Sequence, residues 1–254
     1  MSSNYSITRD QVIALALRKL GVLEIGDTPD EAAIANADMS LNLLIKQMST
    51  EGLKIWKTSE LIIPLIANQT SYILGGASSA LMYDSLAPTV AITDRPLKVI
   101  QGWYRNMQVT PHIDTPFMVV SKNEYNSLGS KFSTGTANTV FYDTKALNGI
   151  LYVFLTPDAN AAANLELHLV AQMPLNDMTS ASQIPDFPNE WMNTLVWNLA
   201  DQLSLEYGVP MNTRQEITNR ATAYRQLLND WDVEVASTFF APDFRSSSNN
   251  SYSR

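Results

Sequence analysis

The apolar residues of this chain change their spacing twice, and that change limits the available folds more than any single motif does. Up to about Trp56 they recur every three or four positions, then mostly at alternate positions, and from Glu190 every three or four again. The first spacing marks helices with one buried face, and alternation marks strands with one buried face. Helical signals at both ends with strands between them predict an α+β protein. A helical bundle is expected from residues 1–56 plus 188–236, an inserted β domain from 57–187, and an extended tail from 237–254.

Local signals set the element ends. Thr8 and Gln11 form a capping box before Val12, Ile13, Leu15, Ala16 and Leu20, and Gly21 closes that helix. Thr28 is the expected cap of the next helix, with Pro29 in its first turn, Glu31 completing a box and Gly52 as the stop. Ile34, Ala37, Leu41, Leu44, Ile45 and Met48 line one face of it. Near the other end, Glu190–Tyr207 reads as a helix closed by Gly208 and Pro210. Thr213 with Glu216 is expected to open the last helix, in which Ile217, Ala221, Tyr224, Leu228, Trp231 and Val235 form a seam for packing inside the bundle.

In the middle, Leu61–Ile66 and Ser71–Leu74 read as a hairpin around "ANQT". Pro64 cannot donate to a ladder, which predicts an edge strand or a bulge. Both faces of Leu61–Ile66 are apolar, so the sheet is expected to close over the second face. Further strands are expected at Val90–Ile92, Leu97–Tyr104, Gln108–Ile113, Thr139–Tyr142, Ile150–Leu155 and Leu165–Ala171, with "RNM" and "DTKALNG" as turns. Ser121 with Glu124 signals a short helix. This number of short strands predicts an antiparallel barrel or sandwich.

The chemistry-bearing residues are sparse. There is no cysteine, which excludes disulfides and thiolate zinc sites. His112 and His168 are the only histidines, both in predicted strands and without triad or metal spacing. Asp27, Asp30 and Glu31 cluster where a helix dipole already favours carboxylates. "LGGASSA" and "STGTA" lack the lysine of a phosphate loop and read as linkers. Trp56, Trp103, Trp191, Trp197 and Trp231 lie mostly on apolar faces and read as core. No catalytic, cofactor or metal site is expected. The net charge of −8 is spread over all three segments with no basic patch, so tight phosphate binding is not expected. No apolar run approaches the ~20 residues of a membrane span, and no direct membrane insertion is expected. A carboxylate pair could cleave a cell-wall glycan without any motif, which leaves a carboxylate-dependent glycan hydrolase as the alternative function.

Three stretches, in order, carry a resemblance. "LNLLIKQMSTEGLKIW" followed by "LIIPLIANQTSYILGG", then "VFYDTKALNGILYVFLTPDA", then "FPNEWMNTLVWNLADQLSLEYG" resemble the head-to-tail adaptors of short-tailed bacteriophages, also called tail tubular protein A or tail accessory factor. Thr156 departs from the proline or valine common there. The resemblance spans roughly residues 40–235 and implies a structural protein of the virion neck, assembled in the host cytoplasm. It implies a homo-oligomeric ring, usually of twelve subunits, between the portal protein and the next tail protein (a nozzle or tail tube). Double-stranded DNA would pass through the lumen without specific binding. Phe239, Phe240 and Phe244, in a tail otherwise rich in Ser and Asn, are the expected anchors on the portal or a neighbouring subunit.

Overall fold

The computed structural model describes residues 6–51, 57–76, 82–92 and 94–231. It is mixed α+β, with six α-helices and largely antiparallel sheets among the described residues.

Helices α1 (Arg9–Lys19) and α2 (Glu31–Thr50) come first. Gln11 Oε1 accepts from the Thr8 backbone N–H at 2.9 Å, as its spacing predicted. Gly21 sits at φ 73°, and the N–H groups of Gly21 and Val22 close back on Arg18 and Leu17. That left-handed residue is what allows a tight C-terminal cap. The cap of α2 is Asp30, not Thr28: its carboxylate accepts from Ala33 N at 2.8 Å. Asp and Asn are stronger caps than Thr, and the helix starts accordingly at Glu31. Gly52, the expected stop, lies outside the described residues.

A 3₁₀ turn (Asn189–Trp191) leads into α5 (Met192–Ser204), and α6 (Met211–Trp231) follows. α6 begins earlier than Thr213, because Pro210 supplies a carbonyl to Arg214 N and its fixed φ suits a helix start. Ile217, Ala221 and Leu228 are buried against α5, with Tyr224 half-buried beside them. Trp231 and Val235, the last members of that seam, carry no described side chain. Both ends of the chain meet in one apolar cluster: Val12, Ile13 and Leu17 from α1, Leu41 and Ile45 from α2, and Leu195, Leu199 and Leu203 from α5 are all within it.

Between them lie strands β1 (Thr58–Pro64), β2 (Ser71–Leu74), β3 (Tyr83–Asp84), β4 (Ala87–Ala91), β5 (Lys98–Asn106), β6 (Ile113–Pro116), β7 (Met118–Val119), β8 (Thr134–Gly135), β9 (Thr139–Thr144), β10 (Gly149–Phe154), β11 (Thr156–Pro157) and β12 (Leu165–Gln172). Two short helices interrupt them, α3 (Lys122–Ser127) and α4 (Ala159–Asn164). The sheet orders are β4-β3-β1-β12-β5-β6 and β2-β10-β9-β7, with a small β11-β8 pair. Among the described residues none closes into a barrel. Leu61, Ile63, Leu167 and Leu169 from the six-stranded sheet and Tyr72, Leu74, Leu151 and Val153 from the four-stranded sheet share one core.

The predicted Leu61–Leu74 hairpin does not exist as a pair. β1 lies between β12 and β3, whereas β2 pairs with β10. The turn itself is real: Gln69 N bonds Ile66 O, and the Tyr72 hydroxyl accepts from Ile66 N at 3.0 Å. It carries the chain from one sheet to the other instead of folding it back. β1 is therefore not an edge strand. Pro64 is tolerated because it is the last paired residue, opposite Glu166, while β3 reaches only Leu61 and Ile62. Residues 108–112 are a turn, so the expected Gln108–Ile113 strand starts only at Ile113.

Candidate functional site

The four-stranded sheet turns one face to the core and the other outward. On β9 and β10, Val140, Leu151 and Val153 point inward, so Phe141, Asp143 and Tyr152 point outward. The "DTKALNG" turn makes the β9–β10 hairpin and sets Phe141 directly opposite Tyr152. Helix α3 then lies over this face. Its capping box forms as the sequence signals, with Ser121 N donating to Glu124 Oε2 at 2.7 Å. That start places Tyr125 on both rings, 5.7 Å from Phe141 and 5.6 Å from Tyr152, with 5.8 Å between the latter two. Burial raises the Tyr125 hydroxyl above its ordinary range, with Tyr152 adding to the effect.

This aromatic triad floors a pocket of about 420 Å³. Lysines rim it. Lys131 Nζ stands 5.0 Å above the Tyr125 ring. Lys145 Nζ is 3.2 Å and Lys122 Nζ 4.0 Å from Asp143 Oδ2. Phe132, on the adjoining loop, is 84% exposed. The sequence shows no basic patch because these lysines are far apart in the chain, and only the fold brings them together.

The outer face of the six-stranded sheet is arranged differently. His168 on β12 is 1% exposed, stacked on Trp103 of β5 at 5.6 Å. Its Nδ1 lies 2.8 Å from Glu60 Oε1 and its Nε2 3.6 Å from Glu166 Oε2. Beside them Arg105 makes a bidentate pair with Asp114, at 2.9 and 2.8 Å. Those hydrogen bonds hold the Asp114 carboxyl below the usual aspartate range. The imidazole of His168 lies between the carboxylates of Glu60 and Glu166.

His112 is not in a strand: it is exposed in the turn, with Nδ1 2.9 Å from Val109 O. Asp30 serves as a helix cap. Thr134 and Gly135 of "STGTA" form β8, paired with Thr156 and Pro157, so that stretch is no linker. Most of "LGGASSA" falls outside the described residues. Trp191 and Trp197 are buried in the helical cluster, while Trp56 and the Trp231 side chain are not described. Phe239, Phe240 and Phe244 lie outside the described residues.

Helix α2 supplies one more feature that its single predicted stripe did not include. Met39 and Leu43, one turn apart and on a different side from Leu41 and Ile45, are 67% and 64% exposed. Ala32 and Ala35 continue that exposed strip towards the helix start. A comparison with protein-family models finds no matching family, and one with curated proteins finds no relative.

Proposed function

We propose that this chain is a structural adaptor that works as a homo-oligomeric ring between a phage portal and the next tail protein. In this reading a helical bundle from both chain ends carries an inserted two-sheet β domain, and the tail beyond residue 236 holds a partner through Phe239, Phe240 and Phe244. The ring would sit in the neck of the virion and let double-stranded DNA through its lumen. The observation that carries the reading is the second apolar strip of α2. Its inner face already fills the helical core, and Met39 and Leu43 still present apolar surface to solvent. A strip that meets a different surface on the next copy makes a head-to-tail contact, and such contacts close into rings when the rotation allows. The order and spacing of the three resembling stretches support the same conclusion.

Mass in solution, measured alone and with a portal ring, tests it. Rings, or rings that form only on the portal, are the expected result. A chain that stays monomeric in both conditions and cleaves glycan overturns it. Met39→Asp with Leu43→Asp should leave the fold intact and abolish assembly. Negative charge in each of the three segments, multiplied by copy number, gives a lumen that repels phosphate. Tight duplex binding at moderate salt, with a steep salt slope, would contradict free passage.

A further inference from the structure

The pocket over the four-stranded sheet holds more positive charge than its own carboxylate answers, with one strongly exposed ring, Phe132, at its edge. Of the seven lysines and arginines in residues 57–187, three line this one pocket. Asp143 is the one carboxylate in its lining, and it already faces two of those lysines. Among the described residues Lys131 faces an aromatic ring and no carboxylate. Phe132 stands exposed beside it. An occupant that complements this surface brings carboxylates and aromatic rings together.

The chain contains such a segment. Between Asp232 and Phe244 it carries Asp232, Glu234 and Asp243 with Phe239, Phe240 and Phe244, and no Lys or Arg. The segment starts from the end of α6. Arg225 Nε is 3.3 Å from Glu51 Oε2, just past the end of α2. Ser49 and Thr50, the residues before Glu51, share a cleft with Thr144, next to Lys145 of the pocket. Seven residues, Asp232 to Thr238, span at most ~25 Å when extended. That gives the phenylalanines a reach of up to ~25 Å from the end of α6.

We propose that this pocket receives the Phe239–Phe244 segment of a second copy of the chain. Phenyl rings pack against Phe132 and the accessible part of Tyr152, and Asp243 meets Lys122 or Lys131. The proposal rests on the ring reading, because a ring holds successive copies at one fixed offset and lets the same exchange repeat at every interface. Each subunit is then tied to the next by a strap as well as by its helical contact.

The test uses the full chain with Phe240→p-benzoylphenylalanine. Equal amounts of light and nitrogen-15 copies are mixed at high concentration, irradiated and digested for mass spectrometry. Cross-links to the Lys122–Phe132 and Phe141–Tyr152 stretches that join light to heavy copies are expected. Lys122→Glu with Lys131→Glu should cut their yield roughly tenfold, since each reversal replaces an attraction by a repulsion, with unchanged circular dichroism. Cross-links confined to single copies, cross-links elsewhere, or a yield indifferent to the charge reversals would each overturn the proposal. Native mass of the same samples, with and without portal, separates the two claims. Rings without pocket cross-links overturn the strap and leave the adaptor reading standing. Pocket cross-links between copies that form no ring in either condition support the strap and overturn the adaptor reading.

Discussion

The two outward faces of the β region rest on the same core and differ in how their charges are matched. Over the six-stranded sheet, His168 is enclosed by Trp103 and flanked by Glu60 and Glu166, and Arg105 is held by Asp114 through Nε and Nη2 of one guanidinium edge. Among the described residues His168 Nδ1 and the Arg105 guanidinium are answered within the molecule, while His168 Nε2 and Trp103 Nε1 are buried with no hydrogen-bond partner. Over the four-stranded sheet, the aromatic floor is packed, but the lysines outnumber the single carboxylate. The first face therefore contributes to stability, and the second has interactions left to make with something else. Buried polar groups that satisfy each other specify a structure, whereas exposed unmatched charge is free to select a partner.

That contrast can be broken or sharpened by substitution. The largest loss is expected under both faces: Leu151→Ala, at a fully buried position, should cost roughly 2–5 kcal/mol in urea unfolding and weaken both faces alike. His168→Ala comes next, at about 2–4 kcal/mol, because it opens a cavity and leaves Glu60 without its partner. A loss below ~0.5 kcal/mol there would show that the six-stranded face does not depend on its histidine.

Tyr142 ties the four-stranded sheet to the loop just before β5, its hydroxyl donating to Pro96 O at 2.6 Å. Tyr142→Phe should cost about 1 kcal/mol. Burial pushes this phenol from its ordinary 10.0 up to about 12, against a smaller opposing pull from Arg95. A folded-state value above the unfolded one stabilises fully below pH 10 and is lost as pH rises towards 12. The alkaline limb of the stability profile should therefore be shallower in Tyr142→Phe. Smallest of all, Lys131→Ala should change stability by less than ~0.5 kcal/mol while reducing self-association, which analytical ultracentrifugation would detect. A large stability loss from Lys131→Ala would erase the difference between the faces.

The helices were legible in the sequence because their signals are local. Gln11 bonding Thr8, Gly21 turning left-handed and the Ile217–Ala221–Leu228 spacing all act within a few residues. The β region was legible only in part. Turn residues announced a reversal at "ANQT", but nothing local says whether the next strand pairs back or joins another sheet. α4 escaped notice because its signal is a single cap, Asp158 accepting from Ala161 N at 2.7 Å, before a run too short for periodicity. The pocket was half visible. "FYD" and "LYVF" across a recognised turn already imply Phe141 opposite Tyr152, while Tyr125 and Lys131 arrive from a separate segment that no spacing rule connects to them.

The separation of β1 from its partner also sets a clock. Glu60 and His168 are 108 residues apart, and the whole of β1 pairs with the strand that contains His168. At translation rates of about 5–20 residues per second, β1 waits roughly 5–20 s for that strand to be made. During this interval Leu61 and Ile63 lack the strand that pairs with the whole of β1 and its core residues Leu167 and Leu169, next to helices that also lack α5. Holding factors on the ribosome would have that interval in which to act, and a stalled or truncated chain ending before Leu165 should aggregate where the full-length one folds.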